Sequence, residues 1–127
     1  YKAPASDIAA VTAASFGYID ALYKVDSTLV VKHVHPALAK RGFYQASGGS
    51  WQDGTMTYAQ LLSLSARWNK EGKEAGPKSP REVKVLEVMN RTAITRVTAE
   101  WGIDYLALGK YEDGWKIVNI IWQSPPR

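Results

Sequence analysis

Two histidines are the first residues whose type suggests acid–base chemistry, because an imidazole titrates near neutral pH. His33 and His35 are two positions apart, and side chains so spaced point about 200° apart on a helix, so we predict no shared metal ion. His33 shares the apolar face of a predicted helix and should point inward, whereas His35 precedes Pro36, which disfavours helix there. Each also fits a structural role, His33 as a hydrogen-bonded core residue and His35 at the helix end.

Charged residues give a second set of candidates, since a carboxylate in apolar surroundings becomes a stronger base. Asp104 is the acid we retain, although its position just after a predicted turn at Gly102 favours a solvated residue. Asp20 lies outside the apolar stripe of the first predicted helix, so we expect it at a rim or in solvent. The other acids are assigned to a helix cap, turns or a polar strand face: Asp26, Asp53, Asp113 and Glu100. The basic residues that could bind a carboxylate or phosphate, where exposed ion pairs are the more common use, are Lys40, Arg41 and Arg96.

Aromatic side chains could form a pocket for a planar ligand, because their faces stack on flat rings. The alternative is that they are plain core, the more common use of aromatics at helical or strand spacing. The predicted ligand-binding residues are Tyr18, Leu22, Tyr23, His33, Trp68, Trp101, Tyr105 and Trp122. If the protein is an enzyme, we expect His33 or His35 as the base and Tyr18 or Tyr23 as the proton donor.

Three helices are predicted in the first half of the chain to position these residues. Ser6 or Asp7 caps the first, whose apolar residues recur at three- and four-residue steps over 8–22. The residues at 26–27 cap a second, shorter helix, and Thr57 with Gln60 has the capping-box pattern that starts a third. A polar segment over 70–80 then predicts a solvated loop.

Strands are predicted in the second half, where the hydrophobic period changes to two. Four runs rich in β-branched and aromatic residues, at 83–88, 92–101, 103–111 and 115–122, predict an antiparallel meander. An earlier turn over 47–50 joins two short extended segments. The last strand is apolar on both parities, with Trp115, Ile117 and Ile121 predicted on one face and Val118, Ile120 and Trp122 on the other.

These elements predict one α+β domain over residues 1–127, a cone in which a bent sheet wraps around the first helix. Three helices can cover only one face of that sheet. We therefore predict a homodimer in which the other face packs against a second copy of the chain. The alternative is a monomer whose loops fill that face.

Three stretches of the chain resemble the putative lumazine-binding family, which belongs to the NTF2-like superfamily of ketosteroid isomerase, scytalone dehydratase and nuclear transport factor two. They are YIDALYKVD at 18–26, HPALAKRG at 35–42 and GWKIVNIIW at 114–122, and the resemblance extends from the first helix to the last strand. It implies a cone-shaped, cystatin-like fold with a ligand cavity, and the family name implies a pterin-like ligand. Enzymes of the superfamily place an Asp, or a His with an Asp, in that cavity.

Composition excludes several other classes of function. The 127 residues include no cysteine, which excludes disulfides, thiolate catalysis and cysteine-ligated metals. Acids are interspersed among the bases that give the net charge of +4, so we predict no nucleic-acid partner. No stretch approaches the roughly 18 to 20 apolar residues of a membrane-spanning helix, and we predict no membrane partner, metal or cofactor. The chain begins with Tyr1 rather than Met, which favours an exported or periplasmic product.

The function that these observations favour is a non-catalytic domain that binds a planar or aromatic small molecule in the cone cavity. The second hypothesis is an acid–base enzyme, an isomerase, dehydratase or hydrolase. A third is a protein-interaction module.

Overall fold

The computed structural model describes residues 1–126, in which three helices and two strands lie within the first 65 residues and four further strands follow. Within that range the helices are α1 (Ala5–Tyr23), α2 (Thr28–His33) and α3 (Tyr58–Ser65). The strands are β1 (Val34–Gln45), β2 (Trp51–Met56), β3 (Arg81–Val88), β4 (Thr92–Ala99), β5 (Gly102–Tyr111) and β6 (Gly114–Gln123). None of these helices is both long and apolar enough to cross a membrane.

All six strands form one curved sheet in the order β2-β1-β6-β5-β4-β3. The predicted meander is confirmed as β3 to β6, whose neighbours all pair antiparallel. The two predicted extended segments are β1 and β2, which also pair antiparallel, while β1 runs parallel to β6. β1 is longer than predicted, because the chain becomes extended directly after α2. The predicted α+β class is confirmed.

The residues of β6 do not alternate as predicted. Val118 is an extra residue in the pairing with β5, since Leu108 pairs with Ile117 and Ala107 with Asn119. This bulge inverts the alternation, so that Ile120 is buried on the same face as Ile117 while Ile121 is 51% exposed on the other. A strict two-residue period cannot show such a bulge, which moves all later side chains to opposite faces.

The core lies between α1 and the inner face of the sheet. The residues that point inward are the odd-numbered ones in β4 and the even-numbered ones in β5. The largest fully buried apolar side chains include Tyr18, Ile19, Leu61, Leu106, Leu108 and Ile117. This packing determines which side of α1, and which alternate residues of each strand, can contribute side chains to a site inside the cone.

The starts of α2 and α3 follow the prediction, and that of α1 does not. Thr57 and Gln60 form the predicted reciprocal capping box of α3. The predicted caps of α1 are wrong, because α1 begins after Pro4 and has no side-chain cap. Asp7 lies instead in the first turn, where Trp115 Nε1–H donates to its carboxylate at 3.1 Å and lowers its pKa. In α2 the N-cap residue is Ser27, which makes no side-chain cap bond, although the neighbouring Asp26 accepts the Thr28 N–H at 3.0 Å.

Candidate functional site

A cavity of about 110 Å³ lies between the helices and the inner face of the sheet. Its volume approaches the roughly 150 Å³ that holds benzene in an engineered cavity, so it has the scale of one small ring. The lining residues are Leu22, Lys40, Met56, Leu64, Trp68, Trp101 and Trp122. Four of the predicted ligand-binding residues are therefore brought together: Leu22, Trp68, Trp101 and Trp122.

Three tryptophans make the aromatic walls of this cavity, and neighbouring tyrosines support them. Trp68 and Trp101 meet edge to face, with ring centroids 5.4 Å apart and planes at 83°. Tyr23 stacks on Trp68 at 6.2 Å, its hydroxyl donates to the Pro80 carbonyl, and the Glu100 N–H donates to that hydroxyl at 2.9 Å. Tyr23, a predicted binding residue, thus lies behind the wall and supports it.

Trp122 packs over a glycine of the neighbouring strand β1. A Cβ at Gly42 would lie 2.1 Å from Trp122 Nε1, much closer than any real Cβ contact. Gly42 therefore leaves the space that the indole fills. On the other side Tyr44 stacks on the indole, with centroids 6.4 Å apart.

Lys40 is the one basic residue that lines this cavity among residues 1–126. It is 8% exposed, so the prediction of an exposed ion pair is wrong for this residue. It lies on the inward parity of β1, between buried Leu38 and Gly42. Its Nζ donates to the Tyr18 hydroxyl at 3.1 Å. Burial lowers the pKa of Lys40 to about 8, although the nearby Asp104 carboxylate favours its charged form.

Asp104 is fully buried beside the cavity, so the expectation of a solvated residue is wrong. Tyr18 Oη–H donates to Oδ2 at 2.8 Å, and Trp101 Nε1–H donates to Oδ1 at 2.6 Å. Burial raises the pKa of Asp104 to about 6, while Lys40 and these two donors act in the opposite direction. The sequence did hold a signal, because Asp104 has the same parity as the apolar Leu106.

Four side chains therefore form one buried polar chain, in the order Lys40, Tyr18, Asp104, Trp101. The Tyr18 hydroxyl is its centre, since it accepts from Lys40 and donates to Asp104. Burial, with a further contribution from Asp104, raises the pKa of Tyr18 well above its ordinary value, so this hydroxyl stays protonated. The two end residues of this chain, Lys40 and Trp101, also line the cavity. A molecule in the cavity would therefore contact both ends of the polar chain.

The family model described as putative lumazine-binding matches residues 6–123 of the chain. The chain belongs to the putative lumazine-binding family. No functionally curated protein matches it significantly.

The chain is similar in fold to two NTF2-like proteins of unknown function. The one from Silicibacter pomeroyi has 16% identity and a TM-score of 0.71, covering 97% of this chain and 99% of that one. The one from Shewanella baltica has 14% identity and a TM-score of 0.71, covering 100% of each. A structure from Streptomyces avermitilis, described as a putative dehydratase from the NTF2-like family, has 15% identity and a TM-score of 0.62, covering 98% of this chain and 100% of that one.

In this member of the putative lumazine-binding family the two histidines lie outside the cavity. His33 is half-buried, and its ring packs on Gly17 of α1, where a Cβ would lie 2.2 Å from Cδ2. Burial lowers the pKa of His33. His35 Nδ1 accepts the Ala37 N–H at 3.0 Å, and its ring lies 4.8 Å from the Tyr111 ring. His35 matches its structural alternative at the helix end, whereas His33 packs on α1 and is half-buried rather than a core residue.

Two further predictions on charged and aromatic residues need correction. Tyr105 is 46% exposed on the outer face of the sheet, because only the even parity of β5 points inward. Asp20 is 8% exposed rather than solvated, since Arg81 binds its carboxylate with two hydrogen bonds of 2.8 Å. Arg81 lowers the pKa of Asp20, and the pair joins α1 to β3. Arg41 pairs with Asp53 on the surface, as expected.

A second, more open groove of about 600 Å³ involves the outer face of the sheet. Exposed Ile94, Tyr105 and Ile121 contribute to it from three neighbouring strands. Lys40 and Met56 line both this groove and the inner cavity. No group of three or more metal-ligating side chains occurs in the part of the chain that the structure describes.

Proposed function

We propose that this domain binds a small, neutral, planar molecule that carries a carbonyl or similar acceptor, inside the tryptophan-lined cavity. The observation that carries the proposal is the position of Lys40 in an otherwise apolar wall of that cavity. Within residues 1–126 its ammonium makes one hydrogen bond, to Tyr18, and an ammonium has three donors. An occupant with an acceptor would bind the remaining donors.

The charges of the site favour a neutral ligand over an anion. Lys40 and Asp104 already compensate each other through the Tyr18 hydroxyl. A ligand carboxylate would add a second negative charge to a buried site, where an uncompensated charge is costly. A carbonyl group accepts a hydrogen bond from Lys40 without that cost.

The size of the cavity favours one ring. At about 110 Å³ it lies below the roughly 300 Å³ at which sites for drug-sized ligands begin. A fused two-ring pteridine is larger than a single ring and would require the walls to move apart. We therefore propose a one-ring ligand, although the family name points to a pterin.

The experiment is a titration of the tryptophan fluorescence with benzamide, in wild type, Lys40→Met and Lys84→Met. We expect saturable quenching in wild type, and affinity lower by about tenfold or more in Lys40→Met, because a hydrogen bond to a charged group contributes roughly 1.5–3 kcal/mol. Lys84 is exposed on β3 and serves as the matched control, with unchanged affinity expected. Equal affinity in folded Lys40→Met, or no saturable binding of benzamide, would contradict the proposal.

An acid–base enzyme is the second candidate, and Asp104 rather than a histidine favours it. Its pKa is raised to about 6 by burial, which makes the carboxylate a stronger base than an exposed one. A similar structure described as a putative dehydratase agrees with this candidate. Both carboxylate oxygens already accept hydrogen bonds, so proton exchange with an occupant would run through Tyr18 and then Lys40, which lines the cavity. Turnover of a candidate substrate should be lost in Asp104→Asn and kept when His33 and His35 are both changed to Ala; the reverse pattern would contradict it.

We also propose that two copies associate through the outer face of the sheet. Ile94, Tyr105 and Ile121 are 41%, 46% and 51% exposed there, and Tyr105 and Ile121 are directly paired neighbours. Exposed apolar side chains gathered on one face of a sheet are typical of an interface. A second copy would cover these side chains, and it would enclose the open groove that they line.

A further inference from the structure

We infer that the amine of Lys40 forms an imine with a small aromatic aldehyde held in the tryptophan-lined cavity. The inference deepens the proposed binding function and rests on it, because it names the class of carbonyl compound and a covalent step. Three features of the site support it: a buried amine in the cavity wall, flat apolar surfaces around it, and a proton acceptor connected to it by hydrogen bonds.

The surroundings of Lys40 increase the fraction of its neutral, nucleophilic form, although the Asp104 carboxylate favours the ammonium. The residue is 8% exposed, and the other lining residues of the cavity are all apolar or aromatic. An amine must lose its proton before its lone pair can attack a carbonyl carbon, and burial disfavours the charged form of a lysine. Its pKa is accordingly lowered to about 8.

Tyr18 and Asp104 provide a route for that proton. Lys40 Nζ donates to the Tyr18 oxygen at 3.1 Å, and Tyr18 Oη–H donates to Asp104 Oδ2 at 2.8 Å. Two coordinated transfers along these bonds leave Lys40 neutral and Asp104 protonated, while Tyr18 has exchanged one proton for another. The carboxyl can hold the proton transiently, because burial raises its pKa to about 6, closer to the value of about 8 to which the pKa of Lys40 is lowered.

The covalent step balances without any other reactant. The lone pair of neutral Lys40 forms a bond to the aldehyde carbon, the carbonyl π electrons move to oxygen, and one proton passes from nitrogen to that oxygen to give a carbinolamine. Asp104 returns its proton through Tyr18, the hydroxyl leaves as water, and the nitrogen lone pair forms the C=N bond. The products are a protonated imine on Lys40, one water and the Asp104 carboxylate, with no oxidation or reduction.

The walls of the cavity select the aldehyde. Trp68, Trp101 and Trp122 offer flat faces, and the volume of about 110 Å³ admits about one ring. Benzaldehyde is the simplest carbonyl compound with these properties. Benzamide has nearly the same shape but does not form an imine, so it is the matched non-reactive ligand.

The experiment treats the protein with limiting benzaldehyde and cyanoborohydride, which reduces an imine to a stable benzylamine, followed by peptide mass mapping. We expect one benzyl group per chain, on Lys40 in preference to the exposed lysines. Excess benzamide should protect Lys40. The Tyr18→Phe variant should be labelled at least several-fold more slowly, because it lacks the hydroxyl that carries the proton, whereas Lys84→Met should be labelled at the wild-type rate.

The outcomes separate this inference from the proposed function. If benzamide binds and Lys40 is labelled no faster than exposed lysines, the imine is excluded while the binding function stands. If benzamide does not bind and Lys40 is not labelled, both are excluded. Labelling of Tyr18→Phe at the wild-type rate would contradict the proton route through Tyr18.

Discussion

Lys40 and Asp104 carry opposite charges in an apolar interior, and the hydroxyl of Tyr18 lies between them. Isolated buried charges are unfavourable, so the hydrogen bonds of Tyr18 and Trp101 to the carboxylate are needed to keep it ionised. The sequence shows that Lys40, Tyr18 and Asp104 are present, but it does not show that their side chains contact one another. Tyr18 and Asp104 are 86 positions apart, and nothing local marks them as partners.

At the residue scale, we predict that the stability difference between wild type and Asp104→Asn depends on pH. Burial raises the pKa of Asp104 from 3.8 to about 6, so the folded state binds this proton more tightly than the unfolded state. The wild type therefore loses stability as pH rises from about 4 to 6, by roughly 3 kcal/mol, while the asparagine does not titrate. Urea unfolding of both proteins across this range measures the difference.

The control for this prediction is Glu82→Gln, which changes an exposed carboxylate on β3. This variant shows how much of any change over the same pH range comes from removing an exposed carboxylate. The account of Asp104 would be wrong if the Asp104→Asn difference varied no more with pH than the Glu82→Gln difference.

At the scale of elements, the sequence predicts how segments start and fold better than which way their side chains point. The capping box of α3 and the meander of β3 to β6 are confirmed, because both depend on local patterns. The prediction of which β6 residues share a face is wrong after Val118, because a bulge depends on pairing with another strand. The sequence therefore predicts that aromatic residues line the cavity, and three tryptophans do. It wrongly predicts Tyr105 among them, because Tyr105 lies on the outer face of the sheet.

We predict that the contact of β1 with the β6 indole controls the cavity. Gly42→Ala places a Cβ where Trp122 lies, so we expect the indole to move, benzamide affinity to fall and stability to drop by about 1–3 kcal/mol. Gly54 is the matched control, since it pairs with Gly42 across β1 and β2 and a Cβ there meets only Tyr44, at 3.8 Å. Gly54→Ala should change stability by no more than about 0.5 kcal/mol. Equal effects of the two substitutions on binding and thermal unfolding would contradict this role of Gly42.

At the scale of the whole molecule, the fold follows from the order of the elements and from the family resemblance, and both are confirmed. The function does not follow in the same way, because one fold can host unrelated activities. What distinguishes this chain is the content of its cavity, which depends on how the helices and the curved sheet pack. The role of the outer face of the sheet, by contrast, depends on whether a second copy of the chain binds there.

We predict that the chain is a dimer in solution and that Ile121→Lys converts it to a monomer. The substitution places a charge beside Tyr105 on the outer face, where a second copy would bury it without a partner. Val31→Lys on α2 changes another exposed aliphatic side chain, at 60% against 51% for Ile121, outside the sheet and should leave the dimer intact. Native mass spectrometry of the three proteins gives the masses. A wild-type monomer, or a dimer that survives Ile121→Lys, would exclude this interface.

The most direct test of ligand binding in the cavity uses the five tryptophans as internal probes. Trp68, Trp101 and Trp122 line the cavity, whereas Trp51 is exposed on β2 and the Trp115 indole is bonded to Asp7. The measurement is the ¹H–¹⁵N spectrum of the indole N–H groups during titration with benzamide. We predict saturable shifts of the three cavity resonances, with those of Trp51 and Trp115 unchanged. Shifts confined to Trp51 or Trp115, or no saturable shift at any of the three, would contradict binding in the cavity.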